Sequence, residues 1–580
     1  MFIRHVEIRH FRGIDKLDWH VNGRLVCLVG PGDSTKTTIL DAIEVTLVPR
    51  WFVPFADADF FQADTGQPIS ISVTIGELPD DLMGDEKCGL CLRGYRPNEP
   101  FCDDPEDGWE PVVTVKLQVA EDLEPRWELV KDSLPDPRPL SWRDRERLGM
   151  ARLGDDMERH LSWSRGSALA KITERVTTAG PTLALANRAA NAAILSATTL
   201  GELNAAAGQA REAAKEFGVK TSPLRPGLDT QSVSFGTGAL SLHDEHDVPL
   251  RAVGLGTRRL AGLAIQQAGL GPEAILLVDE VEYGLEPHRI RRLLNKLVSD
   301  HDGAMTHEGE QQDPKGQVLM TTHSPTAIMA LPVTDLRFVT SESGTTTVEQ
   351  VDSHAVDAIQ PIVRKLGHAL LARKIVVCEG KTEEALCRVL DEDWASKHEG
   401  HTFGYLGVVP VYGEGRTNGP KAAEELRRIG YNVAFVGDSD EPIQPDKNTL
   451  EASNVKVVLW EGNMATEERI ASDLPWAALQ SFVDTAIEVR DLNSVLDSIG
   501  HRIGQPLTPI GPSIDDWLGD SIDESHVRNA IGQTAKQQGW FKDLNAGDKL
   551  ARIAVDALPD MDNSEFAESL TQLEDWVYGD

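Results

Sequence analysis

The chain is poor in cysteine, in aromatic residues and in positive charge. Six cysteines among 580 residues exclude a disulfide-built secreted scaffold and fit a reducing compartment. Lys and Arg number 57 against 92 Asp and Glu, a formal charge of −35. That balance excludes a broadly basic nucleic-acid face, so any contact with a polyanion must be local. No apolar run approaches the roughly 18 residues of a membrane span, and Met1 to His10 lacks the apolar core of a secretion signal. A cytoplasmic protein with no membrane partner is expected. With only six tyrosines, none in a context that suggests a covalent phosphotyrosine, topoisomerase chemistry is disfavoured. No internal repeat is apparent, and the length exceeds any single core, so about two or three domains are expected.

What the chain has in plenty is acid, and part of it is patterned. Ile375 to Cys378 is a short apolar run that predicts a buried strand; Glu379-Gly380 leaves it and Glu383 follows one helical turn later. Val433 to Val436 predicts a second strand, ending in Gly437-Asp438-Ser439-Asp440. Carboxylates then leave the carboxyl ends of two parallel-type strands, where open α/β sheets bind their ligands. Hard oxygen ligands at this density suit Mg²⁺ or Mn²⁺, and a pair of such ions can clamp a phosphodiester during in-line displacement. After a third apolar run, Val455 to Leu459, Glu467 and Glu468 lie side by side in sequence, and a helix would turn at most one of them into the same shell. Taken singly, each of these acids also fits a solvated surface. In Gly539-Trp540-Phe541-Lys542 a cation stands beside two aromatics, a placement open to charge stabilisation or to an ordinary surface role. Glu-Gly-x-x-Glu followed by Asp-x-Asp resembles the TOPRIM domain of topoisomerases, primases and certain nucleases.

The amino-terminal half carries a second chemistry. Phe2 to Ile8 alternates as a strand does, and Arg24 to Val29 predicts another that runs into Gly30-Pro31-Gly32-Asp33-Ser34-Thr35-Lys36-Thr37-Thr38. Ile39, Leu40, Ile43 and Leu47 share one face of the helix expected next. This is close to the Walker A pattern, in which backbone amides cradle phosphates; Lys36 would reach the β and γ groups and Thr37 would hold Mg²⁺. Thr35 stands where glycine is expected, and its Cβ would crowd a glycine-type backbone. Ala274 to Val278 predicts a buried strand ending in Asp279 and Glu280, suited to holding Mg²⁺ through water and to polarising an attacking water. Val253-Gly254-Leu255-Gly256-Thr257 precedes it and His323, in Thr321-Thr322-His323-Ser324-Pro325, follows it. Glycine-rich signature, Walker B and histidine in that order resemble the ATP-binding-cassette ATPases of the SMC type, with Gln62 as the candidate glutamine-loop residue.

An SMC-type ATPase followed by a TOPRIM module resembles the OLD (overcoming lysogenization defect) family nucleases, to which the Gabija defence nuclease also belongs. The resemblance spans nearly the whole chain. It implies an α/β fold: an ABC-type ATPase in two parts, 1–177 and 228–356, around a helical dimerisation insertion at 178–227. A linker helix at 357–371 and a Rossmann-like TOPRIM domain with a helical extension, 372–580, follow. It implies ATP with Mg²⁺ at Gly30, Gly32, Ser34, Lys36, Thr37, Thr38, Asp279, Glu280 and His323. Gly254 and Gly256 would close over the nucleotide of a second subunit. Mg²⁺ or Mn²⁺ would be held by Glu379, Glu383, Asp438, Asp440 and Glu467, with Lys542 as catalytic lysine and Lys549 as the alternative. The implied activity is homodimeric, metal-dependent DNA cleavage governed by ATP, in phage defence or DNA repair, with no obligatory helicase partner. The competing expectation is a regulatory SMC-like ATPase without nuclease activity. Arg289, Arg291, Arg292 and Lys296, or Arg364, Lys365, Arg373 and Lys374, offer local contacts to phosphates or solvated helix faces. Cys88, Cys91 and Cys102 hint at zinc, but a fourth ligand is missing nearby.

Overall fold

A computed structural model describes the chain except for residues 81, 85–87, 98, 135, 154–156, 164–166, 170–241 save isolated positions, 244, 246, 270–273, 302–315, 354–355, 562 and 580. The expected helical insertion at 178–227 therefore lies outside the described residues, isolated positions apart.

Two sheets organise the rest. Among the described residues the first has 13 strands. Its centre is parallel: Leu25–Val29 lies between Gln317–Thr321 and Leu336–Glu342, with Ile275–Val278 and Met150–Leu153 beyond Gln317–Thr321. The runs LVCLV and ILLV are apolar at every position, as strands covered on both faces must be, and every one of their residues is buried. The flank is antiparallel, built on the hairpin Phe2–Phe11 and Ile14–His20 with Ile69–Gly76 and Glu110–Val119 beside it. A bulge between Ile3 and His5 shifts the alternation there. Ile3, Val6 and Ile8 join a core with Ile39, Leu40 and Ile43 of the helix Lys36–Leu47, while His5, Glu7 and Arg9 take the opposite face.

The second sheet is wholly parallel, in the order Val408–Tyr412, Lys374–Cys378, Asn432–Gly437, Lys456–Leu459. Helices Lys381–Lys397, Asn418–Arg428 and Lys447–Ala452 connect its strands, and helices from Thr466 onward cover one face. The linker region begins as the helix Val356–Leu366 and ends in a single tight turn, Ala369–Leu371.

The two sheets share a core. Ile375, Val377 and Phe435 of the second pack in one cluster with Leu336 and Phe338 of the first and with Ile359 and Val363 between them. Tyr431 closes this seam: its hydroxyl donates to the Leu370 carbonyl at 2.6 Å and its ring meets Phe338 edge-on. Among the described residues no helix is long and apolar enough to cross a membrane.

Candidate functional site

The P-loop follows the central strand directly. Gly30 is required by space, because a Cβ there would lie 2.3 Å from the Val339 carbonyl oxygen. Lys36 is buried and folds back on its own loop, donating to the carbonyls of Gly30 at 3.0 Å and Pro31 at 2.7 Å and to Ser34 Oγ at 3.0 Å. Burial pulls its ammonium down to a pKa of about 8. Thr35 takes up a left-handed backbone, φ 65° and ψ 14°. The glycine conformation is thus kept by a β-branched residue, at a strain of roughly 1–3 kcal/mol. Its hydroxyl bonds to the Ser34 carbonyl at 2.6 Å and to Thr346 at 3.1 Å.

Asp279 ends the neighbouring Ile275–Val278 strand and faces this loop. Its Oδ1 accepts from Thr37 at 3.2 Å and from Thr321 at 2.5 Å, and its Oδ2 pairs with Arg152 at 2.9 Å. Burial works against the charge on Arg152, but Asp41, Glu44 and Asp279 outweigh it and raise its pKa. Glu280 is left-handed at φ 44°, held by its N–H to Thr321 Oγ1 at 2.8 Å and by its carbonyl to Arg259 at 2.6 Å. Arg259 belongs to the helix Leu255–Gly269, which carries Gly256. A Cβ on Gly256 would meet the Gly284 carbonyl oxygen at 2.6 Å, so the helix start seats directly on the turn after Glu280. Gly254 has open space around it and Gln62 is exposed in a tight turn. His323 is exposed, and its backbone N–H donates to Glu282 at 2.6 Å. Arg152, Arg259, Glu282 and Thr321 were not foreseen as partners. These contacts join residues far apart in the chain, which a single sequence does not display.

Residues 125–330 match the family model described as "AAA domain, putative AbiEii toxin, Type IV TA system". The chain contains an ATPase-type domain. That span holds Gly254, Asp279, Glu280 and His323 but not the P-loop, and it is less than half of the chain. No curated protein matches. Among solved structures, an SMC head bound to the C-winged helix domain of ScpA aligns at 13% identity and a TM-score of 0.34, covering 61% of this chain and 99% of that one. The SMC head domain from Thermotoga maritima aligns at 15% identity and 0.28, covering 61% and 100%. The Smc head with an extended coiled coil, bound to the C-terminal domain of ScpA from Pyrococcus furiosus, aligns at 13% and 0.34, covering 63% and 100%. At such scores these overlaps carry no weight for function.

The second cluster is set by strand register. Cys378 and Val436 are partners in adjacent parallel strands, so the residues that follow emerge side by side. The Asp438 N–H donates to Glu379 Oε2 at 3.0 Å, and a Cβ on Gly437 would lie 2.6 Å from that same oxygen. Glycine is what lets the carboxylate in. Glu383 arrives from the first turn of Lys381–Lys397 and accepts from the Gly380 N–H at 2.7 Å. Glu467 comes from the helix Thr466–Asp473 and lies 3.5 Å from the Thr382 hydroxyl.

Burial and mutual repulsion drive these acids toward their neutral forms. Asp438 is pushed up to about 9 by burial and by Glu383, Glu467 and Glu379. Burial, with Glu467 and Glu379, raises Glu383 to about 7, and burial raises Glu379 and Glu467 as well. Thr466 explains how the group is held together. Its hydroxyl accepts from Trp460 Nε1 at 2.5 Å and touches both Asp438, at 2.8 Å, and Glu383. One hydroxyl has one proton to give, so at most one of the two carboxyls receives it and the other must be protonated to bond in return. As placed, no three carboxyl groups of the cluster offer oxygens that all lie within 4.8 Å of one another. Holding a cation would therefore draw the side chains inward.

Asp440, expected among the ligands, is held by a lysine. It pairs with Lys536 at 2.8 Å, which also reaches Glu468 at 3.0 Å, although Asp440 still adds to the field on Glu379. Glu467 and Glu468 separate as helix geometry requires: Glu467 is buried in the cluster, while Glu468 caps its own helix through the Ala465 N–H at 2.9 Å. Lys542 acts on Glu467 through its charge, whereas Lys549 pairs with the exposed Glu488 at 2.7 Å. Of the basic stretches, Lys374 is occupied, donating to the carbonyls of Trp576 and Val577 at 3.1 and 3.2 Å. Thr466 and Lys536 went unforeseen, because a hydroxyl and a distant lysine carry no spacing signal.

Proposed function

We propose that the protein is a metal-dependent endonuclease of the OLD type, its TOPRIM-like acidic cluster cutting DNA under the control of ATP at the P-loop. The observation that carries this reading is the convergence of Glu379, Glu383, Asp438 and Glu467 at the ends of adjacent parallel strands, where burial raises the pKa of each. Four carboxyls kept together at that electrostatic cost fit a site completed by divalent cations. Glu379, Glu383, Asp438 and Glu467 would hold Mg²⁺ or Mn²⁺, with Asp440 joining once freed from Lys536. Bound there, the cation supplies Lewis-acid polarisation of a phosphodiester and activation of water. Lys542, whose charge is felt at Glu467, would offset charge that develops on the phosphate. Thr466 would orient Asp438 and Glu383, and Gly437 keeps the approach to Glu379 open.

At the other site Lys36 would exchange the loop carbonyls for nucleotide phosphates, and Thr37 with Asp279 would hold their Mg²⁺. Gly254 and Gly256 would reach the nucleotide of a second copy, which makes the active form a homodimer. The left-handed Thr35 favours one variation, in which ATP is chiefly a bound signal and is turned over slowly. Supercoiled plasmid incubated with Mg²⁺ or Mn²⁺, with and without ATP, tests the nuclease. Nicked and linear products that vanish with Glu379→Ala support it, and an intact plasmid under every condition favours a regulatory ATPase.

A further inference from the structure

We propose that His5, Asp18 and His20 form a second metal site, for a borderline transition ion of the Zn²⁺ class, on the sheet face opposite the P-loop helix. The three ligands come from two strands in fixed register. His5 and His20 are direct cross-strand partners, and Asp18 precedes His20 by two residues, so all three side chains stand on one face. That face is specified by the core, because Val6 and Ile8 point inward to the P-loop helix and a slip of one residue would bury the ligands instead.

One nitrogen or oxygen from each residue lies within 4.8 Å of the other two, the one such trio among the described residues. His5 Nε2 and Asp18 Oδ1 are 2.8 Å apart, and the two imidazole rings are 4.6 Å between centroids at 41°. The surroundings are built rather than incidental. Phe101 stands edge-on to His5 at 5.5 Å and Tyr95 stacks beside His20 at 6.3 Å, walling one side. Neighbouring acids on the same sheet are already neutralised, Glu7 by Arg9 at 2.9 Å and Glu110 by Arg4 at 2.9 Å. Two imidazoles and one carboxylate select Zn²⁺, Co²⁺ or Ni²⁺ over Mg²⁺, and leave a fourth position to water. The ion would clamp the first hairpin, whose tip holds the P-loop helix through Arg12, bonded to Asp41 and to Asp59 at 2.8 Å.

The test is a titration of the metal-stripped full chain with Co²⁺ and Zn²⁺ under excess Mg²⁺, by calorimetry and visible absorption. A Glu379→Ala, Asp438→Asn background removes the acidic cluster from the count. His20→Gln and Asp18→Asn alter exposed side chains and spare the fold. The expected result is one equivalent bound, without the thiolate charge-transfer band that Cys88, Cys91 and Cys102 would give, and weakened more than about tenfold in either variant. Saturation should also raise the melting temperature by a few degrees in the parent only. No equivalent bound, a thiolate band, or unchanged affinity in both variants would overturn the site.

Discussion

At the scale of single residues the account turns on protons and on one backbone angle. With Asp438 near 9 and Glu383 near 7, the folded protein keeps protons that an unfolded chain releases at about pH 4. The metal-free protein then binds more protons than its unfolded form between about pH 4 and 9, so its stability falls as pH rises through that window. Asp438→Asn should flatten this dependence and, at pH 8 without metal, raise the melting temperature by at least about 2 °C. A lower melting temperature than the parent under those conditions would contradict the assigned burial. Thr35 gives a second prediction. Glycine there relieves a left-handed threonine, and Thr35→Gly should tighten ATP binding by up to roughly tenfold, within the energy such strain stores. Thr35→Val, which keeps the strain, should not, and isothermal titration distinguishes the two. The threonine was visible in the sequence as a misfit; that the chain keeps the glycine angle regardless was not, since backbone conformation is decided by the strand before it and the helix after it.

Elements decide which acids meet. Two apolar runs ending in acid were enough to foretell that Glu379 and Asp438 leave strands, and the structure makes those strands immediate neighbours. The four-residue step to Glu383 was legible for the same reason, a helix beginning at a known point. The pairing of Asp440 was not legible, because a strand-end Asp-x-Asp says nothing of Lys536, which arrives from a helix almost a hundred residues later. The choice between Glu467 and Glu468 was left open by spacing; of the two, Glu467 lies on the buried face of Thr466–Asp473. Cleavage should accordingly fall at least about 100-fold with Glu467→Gln or Lys542→Ala, and by no more than about twofold with Lys549→Ala, whose partner is exposed. Gly437→Ala should lose cleavage while ATP binding persists, because its Cβ would press on Glu379 and on the Phe435 ring, both away from the P-loop. Plasmid assays beside nucleotide titration check all four. Equal losses at Lys542 and Lys549 would remove the lysine assignment.

Across the whole molecule the P-loop and the acidic cluster stand on one core. The second sheet shares its apolar seam with the first, so the carboxyl-terminal half is not a bead on a string, and the linker region is packed into that seam rather than spacing two bodies apart. Such a seam is invisible to motif reading, because it joins residues whose separation in the chain carries no period. Tyr431→Phe should cost about 1–3 kcal/mol by leaving the Leu370 carbonyl unbonded, and the loss should register in both activities together. A melting curve in which only one activity fades would show the halves to be independent. Whether ATP at the first site governs cutting at the second depends first on there being a cut. The most direct measurement is therefore supercoiled plasmid with the purified full chain and Mg²⁺ or Mn²⁺, beside Glu379→Ala. The account predicts metal-dependent nicked and linear DNA from the parent and intact plasmid from the variant. Intact plasmid from both, or equal cutting by both, would contradict it.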